Sequence, residues 1–335
     1  LPPAEPAAPA EPPAMSVVVC TRERPDALRE ALDSLVALDH PDYEVIVVDN
    51  APLSDRTAAV ADDYRVRYVV APVAGLSRAR NVGMSVARHP IVAFTDDDVV
   101  ADPQWLRGLA AGFGRGGDVA CVSGLVPSGE LRNAVQTYFD ARVSWSKNLA
   151  GRVFRLSDPP ADLPMFPFCV GEYGTGANFA VRRDAVRAVG GFDEALGVGT
   201  RTRGGEDLDI FTRLLFAGHA LVVEPSAVIW HRHRDDLPAL RTQAVGYGRG
   251  LGAWLTTLAL QPRALGMALG RSPRALARLV HKPMVSVEDA AQPFRVRDDA
   301  VRGEVAAISR LELWQVLTGP AAYLAERWSV RGAAA

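Results

Sequence analysis

The sequence predicts an α/β fold built on a doubly wound, mostly parallel sheet. Short runs of apolar and β-branched residues alternate with segments whose apolar side chains recur at helical spacing, and short turns separate the two kinds of segment. Each apolar run is typical of a strand that is covered on both faces. Of the 335 residues, 48% are hydrophobic, which suffices for a core in one large domain or two smaller ones.

The first hundred residues give this alternation element by element. Residues 16–20 predict a first strand, and Pro25 opens a helix whose apolar positions recur from Leu28 to Leu38. A strand over 43–48, a helix over 54–63, a strand over 66–70, a helix over 77–87 and a strand over 91–95 follow in that order. Much later, a helix is expected from about 208 to 217, where Gly218 ends it.

The two ends of the chain differ from this alternating part. Residues 1–14 contain six prolines, so we expect a disordered, extended tail there. Residues 236–335 show helical patterning. The segment 237–287 contains seven Lys or Arg residues and no Asp or Glu. These basic residues are either solvated or ion-paired faces of packed helices, or a surface for peripheral contact with an anionic membrane. No uninterrupted run of about 18 apolar residues predicts a spanning helix.

Charge and cysteine content bear on partners and compartment. The formal net charge of −2 gives no electrostatic reason to expect nucleic acid as a partner. Cys20, Cys121 and Cys169 are widely scattered and odd in number, which fits neither a disulfide framework nor a metal-binding spacing. We therefore expect a reducing, cytoplasmic location, with any membrane contact peripheral at the cytoplasmic face.

Three consecutive carboxylates, Asp96, Asp97 and Asp98, follow the strand over 91–95. Their mutual repulsion is relieved by a cation, and hard oxygen ligands suit Mg²⁺ or Mn²⁺, which takes its remaining ligands from water and substrate phosphates. The triplet therefore points to a diphosphate substrate. The alternative is a solvated acidic loop before a helix that starts near Asp102.

Other polar residues follow the neighbouring predicted strands, at the edge where ligands bind in such sheets. Thr21 and Arg22 follow the first strand, and Asp49 follows the second. Arg78 and Asn81 are three residues apart on the helix over 77–87, so they can share one helix face. Each alone is typical of a solvated residue, but the shared edge favours a binding site.

A dinucleotide-binding dehydrogenase is the main competing class for an α/β chain. It requires a Gly-x-Gly-x-x-Gly turn between the first strand and its helix, where this chain has Cys-Thr-Arg-Glu-Arg-Pro over 20–25. The one match to the pattern, over 112–117, follows a predicted helix and precedes a predicted strand. That context excludes the class.

Two further clusters lie later in the chain. Glu206 and Asp207 lie at the N-terminus of the helix expected from about 208, directly after a loop rich in Gly and Arg. This is a suitable place for a general base and its lid, although the helix dipole alone also favours acids there. His231 and His233 alternate at a strand end and share one side, so one of them is a candidate metal ligand beside carboxylates. A partly exposed polar strand end is the alternative.

These motifs together resemble family 2 of the nucleotide-sugar-dependent glycosyltransferases, which have the GT-A fold. The resemblance runs from about Val17 to Arg234. Its motifs are, in order, Val-Val-Cys-Thr-Arg, Val-Val-Asp-Asn, Gly-Leu-Ser-Arg-Ala-Arg-Asn-Val-Gly, Phe-Thr-Asp-Asp-Asp, Gly-Thr-Gly-Ala-Asn-Phe-Ala-Val-Arg-Arg, Gly-Gly-Phe-Asp-Glu, Gly-Gly-Glu-Asp-Leu-Asp and Trp-His-Arg-His. Most are weak singly, but the ordered set is highly specific.

The resemblance implies a GT-A catalytic domain over 15–235, with a nucleotide-binding half over 15–100 and an acceptor and catalytic half over 101–235. It implies transfer of a sugar, with inversion, from a nucleotide diphosphate sugar to an acceptor hydroxyl. UDP is the expected nucleotide, with dTDP and GDP open, and relatives suggest a lipid-linked or cell-envelope glycan as acceptor. A catalytically silent nucleotide-sugar-binding protein of the same fold is the alternative.

The resemblance also implies roles for residues. Asp207 matches the catalytic base, with Glu206 beside it, while Asp98 and His231 match the positions that bind Mg²⁺ or Mn²⁺. Together with the sheet-edge argument, this gives the predicted nucleotide-sugar-binding residues: Thr21, Arg22, Asp49, Arg78, Asn81, Asp96, Asp97, Gly176, Ala177 and Asn178.

Overall fold

The computed structural model describes residues 11–143, 149–281 and 299–334. Its strands are β1 Met15–Thr21, β2 Tyr43–Asn50, β3 Arg67–Ala71, β4 Ile91–Thr95, β5 Val99–Ala101, β6 Val119–Leu125, β7 Arg152–Phe154, β8 Asn178–Arg182 and β9 Ala220–His231. Its helices are α1 Pro25–Leu35, α2 Arg56–Asp63, α3 Leu76–Val86, α4 Trp105–Phe113, α5 Ala134–Arg142, α6 Arg183–Ala188, α7 Glu206–Phe216, α8 Leu237–Ala259, α9 Pro262–His281 and α10 Asp299–Ala334. Most of the expected tail, over 1–10, lies outside the described residues.

The strands form one mixed sheet in the order β3-β2-β1-β4-β8-β6-β9-β5, and β7 pairs with β9. The first four strands in this order are mutually parallel, as are β6 and β9, whereas β8 runs antiparallel between β4 and β6. Thr21 pairs in register with Asp49, so the carboxyl ends of β1 and β2 meet at one edge. The predicted doubly wound, mostly parallel GT-A fold is confirmed, and antiparallel β8 joins its two parallel parts.

The strands have continuous apolar sequences because their side chains are buried on both faces of the sheet. Val17 and Val19 point into one core layer, together with Leu28 of α1. Val18 points into the other layer, together with Met84 of α3. Because helices cover both faces, neither face requires polar residues, and the alternation typical of a half-exposed strand is lost.

Several helix limits differ from the prediction by one to three residues, and two of these differences bear on the core and the site. Helix α1 ends at Leu35, so Leu38 packs in the core from the turn that follows, although its spacing continues the helical pattern. Helix α7 begins at Glu206 rather than near residue 208, and Gly205 precedes it in the left-handed conformation. The acidic pair is therefore part of the first helical turn, where its charge is stabilised by the helix dipole.

The C-terminal helices pack on the sheet domain and on each other. Trp254 of α8 lies in the same core layer as Val18, and its Nε1 donates to Thr212 Oγ1 of α7 at 3.3 Å. Basic residues of α8 and α9 contact neighbouring elements: Arg241 pairs with Glu304, Arg249 donates to Gln315, and Arg263 donates to the Phe216 carbonyl. Arg241 is therefore ion-paired, and Arg249 and Arg263 hydrogen-bond to neutral groups of packed elements. The division at 235 stays a prediction.

Within the described residues, no helix is both long enough and apolar enough to cross a membrane.

Helices α8 and α10 approach closely because glycine lies at their contact. A Cβ added at Gly252 would lie 2.0 Å from the carbonyl oxygen of Val316, whereas one added at Gly266 of α9 would meet nothing within 4 Å. We expect Gly252→Ala to lower the free energy of unfolding by about 1–3 kcal/mol through overpacking. The matched control, Gly266→Ala, is expected to raise it by up to about 1 kcal/mol through helix propensity. Urea unfolding measures both, and equal effects of the two changes would contradict the close approach.

Candidate active site

The predicted site residues converge where β1, β2 and β4 end. The carboxylate triplet fills the short connection between β4 and β5. Strand β5 pairs antiparallel with the end of β9, so that Val99 lies opposite His231. This pairing brings Nε2 of His231 to 3.2 Å from Oδ1 of Asp98, across more than 130 residues of sequence.

Asp96, Asp98 and His231 form a group that can hold a metal ion. One ligand atom from each lies within 4.8 Å of the others. Two carboxylate oxygens and one imidazole nitrogen suit Mn²⁺ and, less strongly, Mg²⁺, and leave positions for phosphate oxygens. Burial and the adjacent charge of Asp98 raise the pKa of Asp96 above its ordinary value, so a bound cation would relieve a real electrostatic cost.

His231 and Asp98 are held as an ion pair. Burial alone would raise the pKa of Asp98, but the hydrogen bond and charge of His231, together with Arg24, outweigh it and hold that pKa well below its usual range. Burial would lower the pKa of His231, but the hydrogen bond and charge of Asp98 raise it. His233 differs, because burial and the charge of His231 lower its pKa to about 4.

Two arginines that the sequence reasoning missed surround the triplet. Arg24, in the loop after β1, pairs with Asp97 and lies 2.9 Å from Oδ2 of Asp98. Arg234, just past β9, lies 3.5 Å from the same oxygen. A usable signal existed for Arg24, since it follows the first strand just as Thr21 and Arg22 do. Arg22 itself is exposed to solvent.

Asp97, the middle residue of the triplet, binds other side chains of the protein. Asp97 Oδ2 accepts from the Thr21 hydroxyl at 2.6 Å, and Oδ1 pairs with Arg24. Burial raises the pKa of Asp97 to about 6 despite the opposing charge of Arg24. Thr21 and Asp97 therefore anchor the loop after β1 to the loop after β4.

Asp49 offers a buried acceptor at the end of β2. Its Oδ2 accepts from the Tyr68 hydroxyl at 2.9 Å, while Oδ1 has no hydrogen-bond partner although it is buried. Burial raises the pKa of this carboxyl. An unpartnered buried acceptor is costly, so an N–H group of a ligand would be favourable there.

The acidic pair at the start of α7 consists of one buried and one accessible carboxylate. Glu206 is almost completely buried beside Arg80, with Nη1 to Oε1 at 3.2 Å, and its Oε2 has no hydrogen-bond partner. Burial and the charge of Asp207 raise the pKa of Glu206 to about 7, although Arg80 opposes the shift. Asp207 is only half-buried, and its Oδ2 accepts from the Gly176 backbone N–H at 3.0 Å.

Two hydrogen bonds connect Asp207 to the strand end that carries the candidate metal ligands. Gly176 donates to Asp207, and the next residue, Ala177, accepts at its carbonyl from the Thr95 hydroxyl at 3.0 Å. Thr95 directly precedes the triplet. The loop before β8 therefore sets the position of the candidate base relative to the candidate metal ligands.

Three further predicted donor-binding side chains make contacts within the protein. The Asn178 amide is buried and bonded at both ends, since Oδ1 accepts from Trp105 and Nδ2 donates to the Leu125 and Ala227 carbonyls. Asn81 binds the backbone of Phe192 in both directions. Arg78 donates to the Ala74 carbonyl at 2.8 Å. Their binding roles stay predictions, and the structure gives each a place in holding the loops.

The Gly/Arg loop before α7 is tied down on two sides. Gly205 is so close to α8 that an added Cβ would lie 2.6 Å from the Gly250 carbonyl oxygen. On α10, Glu326 accepts from the Arg201 backbone N–H at 3.3 Å and lies 3.8 Å from Arg78. The C-terminal helices thus position the loop that leads to Asp207.

The buried state of Glu206 generates a pH prediction. Its pKa is raised from 4.5 to about 7, so the unfolded chain releases this proton at lower pH than the folded protein does. Wild type should therefore lose stability relative to Glu206→Gln as pH rises from about 5 to about 7.5. Thermal unfolding of both proteins across this range measures the difference, and a difference independent of pH would show that Glu206 ionises normally.

Comparison with known proteins agrees with this geometry. The Glycosyl transferase family 2 model matches residues 16–190. The pre-mycofactocin glycosyltransferase of Mycobacterium tuberculosis is 30% identical over 238 residues, which are 70% of this chain and 46% of that protein. The succinoglycan biosynthesis protein ExoM of Rhizobium meliloti is 30% identical over 224 residues, 64% of this chain and 65% of that protein. The chain thus spans about half to two thirds of the length of these relatives.

A solved structure shares the fold. The mannosyltransferase PcManGT from Pyrobaculum calidifontis, in complex with GDP-Man and Mn²⁺, superposes with a TM-score of 0.54 at 19% identity, over 95% of this chain and 86% of that one. The likeness extends through the C-terminal helices. Because the family model covers more than half of the sequence, and its region carries the ends of β1, β2 and β4, the chain belongs to glycosyl transferase family 2.

Proposed function

We propose that this protein transfers a sugar from a nucleotide diphosphate sugar to an acceptor hydroxyl, with inversion and with a divalent metal ion. The observation that carries this proposal is the Asp96, Asp98 and His231 group, which is linked through the loop before β8 to the carboxylate of Asp207. When bound, Mn²⁺ or Mg²⁺ would neutralise charge on the departing diphosphate. A solvated acidic loop would not bring a histidine and a second acidic pair to the same edge.

Environment separates the roles of the two α7 carboxylates. Asp207 is accessible and is oriented by the Gly176 N–H, so it would accept the proton of the acceptor hydroxyl. Glu206 is paired with Arg80, and only 8% of its side chain is exposed to solvent. Two neighbouring carboxyls with different surroundings commonly divide such work.

We propose UDP as the donor nucleotide, with GDP the principal competitor because the structural neighbour holds GDP-Man. The buried, unpartnered oxygen of Asp49 would accept from a base N–H, which both uracil and guanine present. We propose a lipid-linked or cell-envelope glycan as the acceptor, since one relative is named for succinoglycan biosynthesis. A cytoplasmic location stays a prediction.

Substitution of the base tests this function. Asp207→Asn keeps the size of the side chain but cannot take up the proton, so kcat should fall by about 10² or more while nucleotide affinity changes little. Turnover of UDP-, GDP- and dTDP-sugars, with Mn²⁺ and with chelator, measures the effect, and Asp63→Asn on exposed α2 is the matched control. A silent binding protein would instead bind nucleotide with no turnover in wild type.

We further propose peripheral contact with an anionic membrane through the outer face of α10. Opposite the face that packs on α8, this helix exposes five large apolar side chains, with Trp314 at 64% and Trp328 at 83% exposure. The five are Leu313, Trp314, Leu317, Leu324 and Trp328. Exposed arginines, Arg310 and Arg331, flank the stripe.

The charges of α10 favour a lipid surface as the occupant. The two acids between its flanking arginines turn inward, Glu312 to Arg142 and Glu326 to the Gly/Arg loop. The outer face therefore combines Trp, Leu and Arg without an acid, which is the composition of helices that lie in a membrane interface.

Co-sedimentation with vesicles of phosphatidylglycerol and phosphatidylcholine tests this contact. The doubly substituted variant Leu317→Ser, Trp328→Ser should bind at least about tenfold more weakly, because it loses two large apolar contacts. The control Leu53→Ser, which changes an exposed leucine in the loop after β2, should bind as wild type does. Absence of wild-type binding at low salt, or a dimer in solution that the double variant abolishes, would contradict a lipid partner.

A further inference from the structure

A chain of hydrogen bonds leads from the far side of His231 away from the metal-binding group. While Nε2 of His231 faces Asp98, its Nδ1 lies 3.2 Å from Nδ1 of His233. Nε2 of His233 lies 2.7 Å from the Ser128 hydroxyl oxygen, which in turn hydrogen-bonds to Asp140. Four side chains, from the end of β9 and the residues just past it, from α5 and from the segment after β6, thus form one continuous path.

The path is built into the protein. The side chain of His233 is 1% exposed, and its ring packs edge-on against Phe139 of α5 at 4.7 Å between centroids. The segment after β6 runs beside the end of β9, where the His231 N–H donates to the Pro127 carbonyl and the Gly129 N–H donates to the His231 carbonyl. The backbone contacts therefore fix Ser128 beside the two histidines.

Hydrogen counting gives the path a direction. Ionised Asp140 can only accept, so the single hydrogen of the Ser128 hydroxyl is donated to it. Ser128 then accepts from His233, which places the hydrogen of neutral His233 on Nε2 and leaves a lone pair on its Nδ1. The hydrogen between the two Nδ1 atoms must come from His231. In the opposite direction, Asp140 would face the Ser128 oxygen with no hydrogen between them.

We propose that His233, Ser128 and Asp140 are positioning residues that fix the tautomer and ring orientation of His231 for metal binding. With Nδ1–H of His231 donated to His233, Nε2, on the side that faces Asp98, is the nitrogen that would give up its proton and offer its lone pair to a bound metal ion. Groups that orient a histidine ligand in this way typically change metal affinity by about 10- to 100-fold when they are removed. The inference rests on the proposed metal dependence.

Calorimetry with Mn²⁺ alone tests the proposal. His233→Phe keeps a ring against Phe139 but removes both hydrogen bonds, so Mn²⁺ affinity should fall about 10- to 100-fold. His233→Gln, whose amide can accept from His231 and donate to Ser128, should recover part of the loss. The control His89→Phe, at the opposite end of β4, should leave the affinity unchanged, and metal-free thermal unfolding reports whether each variant folds.

The outcomes separate the two proposals. Wild type that does not bind Mn²⁺ overturns the metal dependence and this inference together. Wild type that binds Mn²⁺ with a folded His233→Phe of equal affinity overturns the positioning role alone.

A second measurement reads the tautomer directly and does not depend on His233 variants. Nitrogen NMR of ¹⁵N-histidine-labelled protein with Mg²⁺ should show His231 protonated at Nδ1 and not at Nε2. Ser128→Ala, which breaks the path at its smallest residue, should shift this population. A wild-type His231 protonated at Nε2 under saturating Mg²⁺ would overturn the proposal.

Discussion

The arrangement of the site depends on one buried cation, the guanidinium of Arg80. It is 3% exposed, pairs with Glu206, and donates to the Gly176 carbonyl at 3.0 Å. Three aromatic rings surround it at 5.3 to 5.9 Å from their centroids, those of Phe94, Phe179 and Phe192. Arg80 therefore joins α3, β4, β8 and the start of α7, and the aromatic faces compensate part of its lost hydration. Its removal would leave Glu206 buried without a partner charge.

The position of Asp207 follows from this cation. Arg80 holds the carbonyl of Gly176, and the N–H of the same residue donates to Asp207. A Cβ at Gly176 would lie 3.1 Å from Asp207 and 3.3 Å from Arg80, so these side chains would have to shift by a few tenths of an ångström to admit it. The fold thus positions an accessible carboxylate through a closely packed glycine. The adjacent Glu206 keeps its charge partly suppressed, which reduces repulsion within the first turn of α7.

Periodicity and strand ends made the fold and the edge of the site predictable. Apolar runs placed β1 to β4 within one or two residues, and the ends of those strands located Thr21, Asp49 and the triplet. The contacts that set the geometry were not predictable, because they join distant parts of the chain. Arg80 and Glu206 are 126 residues apart, and Arg24 and Asp98 are 74 apart. Asn178 is part of one of the sequence motifs. Nothing in the sequence showed that both ends of its side-chain amide are hydrogen-bonded, to Trp105 and to two backbone carbonyls.

The carboxylate triplet shows why a sequence motif predicts the location of a site better than it predicts the role of each residue. Its three members have the same chemistry, but the structure surrounds them differently. Asp97 accepts from Thr21 and pairs with Arg24, and these contacts join two loops. Its negative charge is therefore balanced by Arg24 within the protein. Asp96 and Asp98 instead meet His231, because β5 pairs with the end of β9. A metal ion bound there would replace the proton on His231 as the partner of Asp98, while Arg24 and Arg234 would remain near to receive phosphate oxygens. In the proposed function, the loops after β1 and β9 would thus contribute the positive charge that a diphosphate requires, and the strand pairing determines which carboxylates would be left to hold a metal ion.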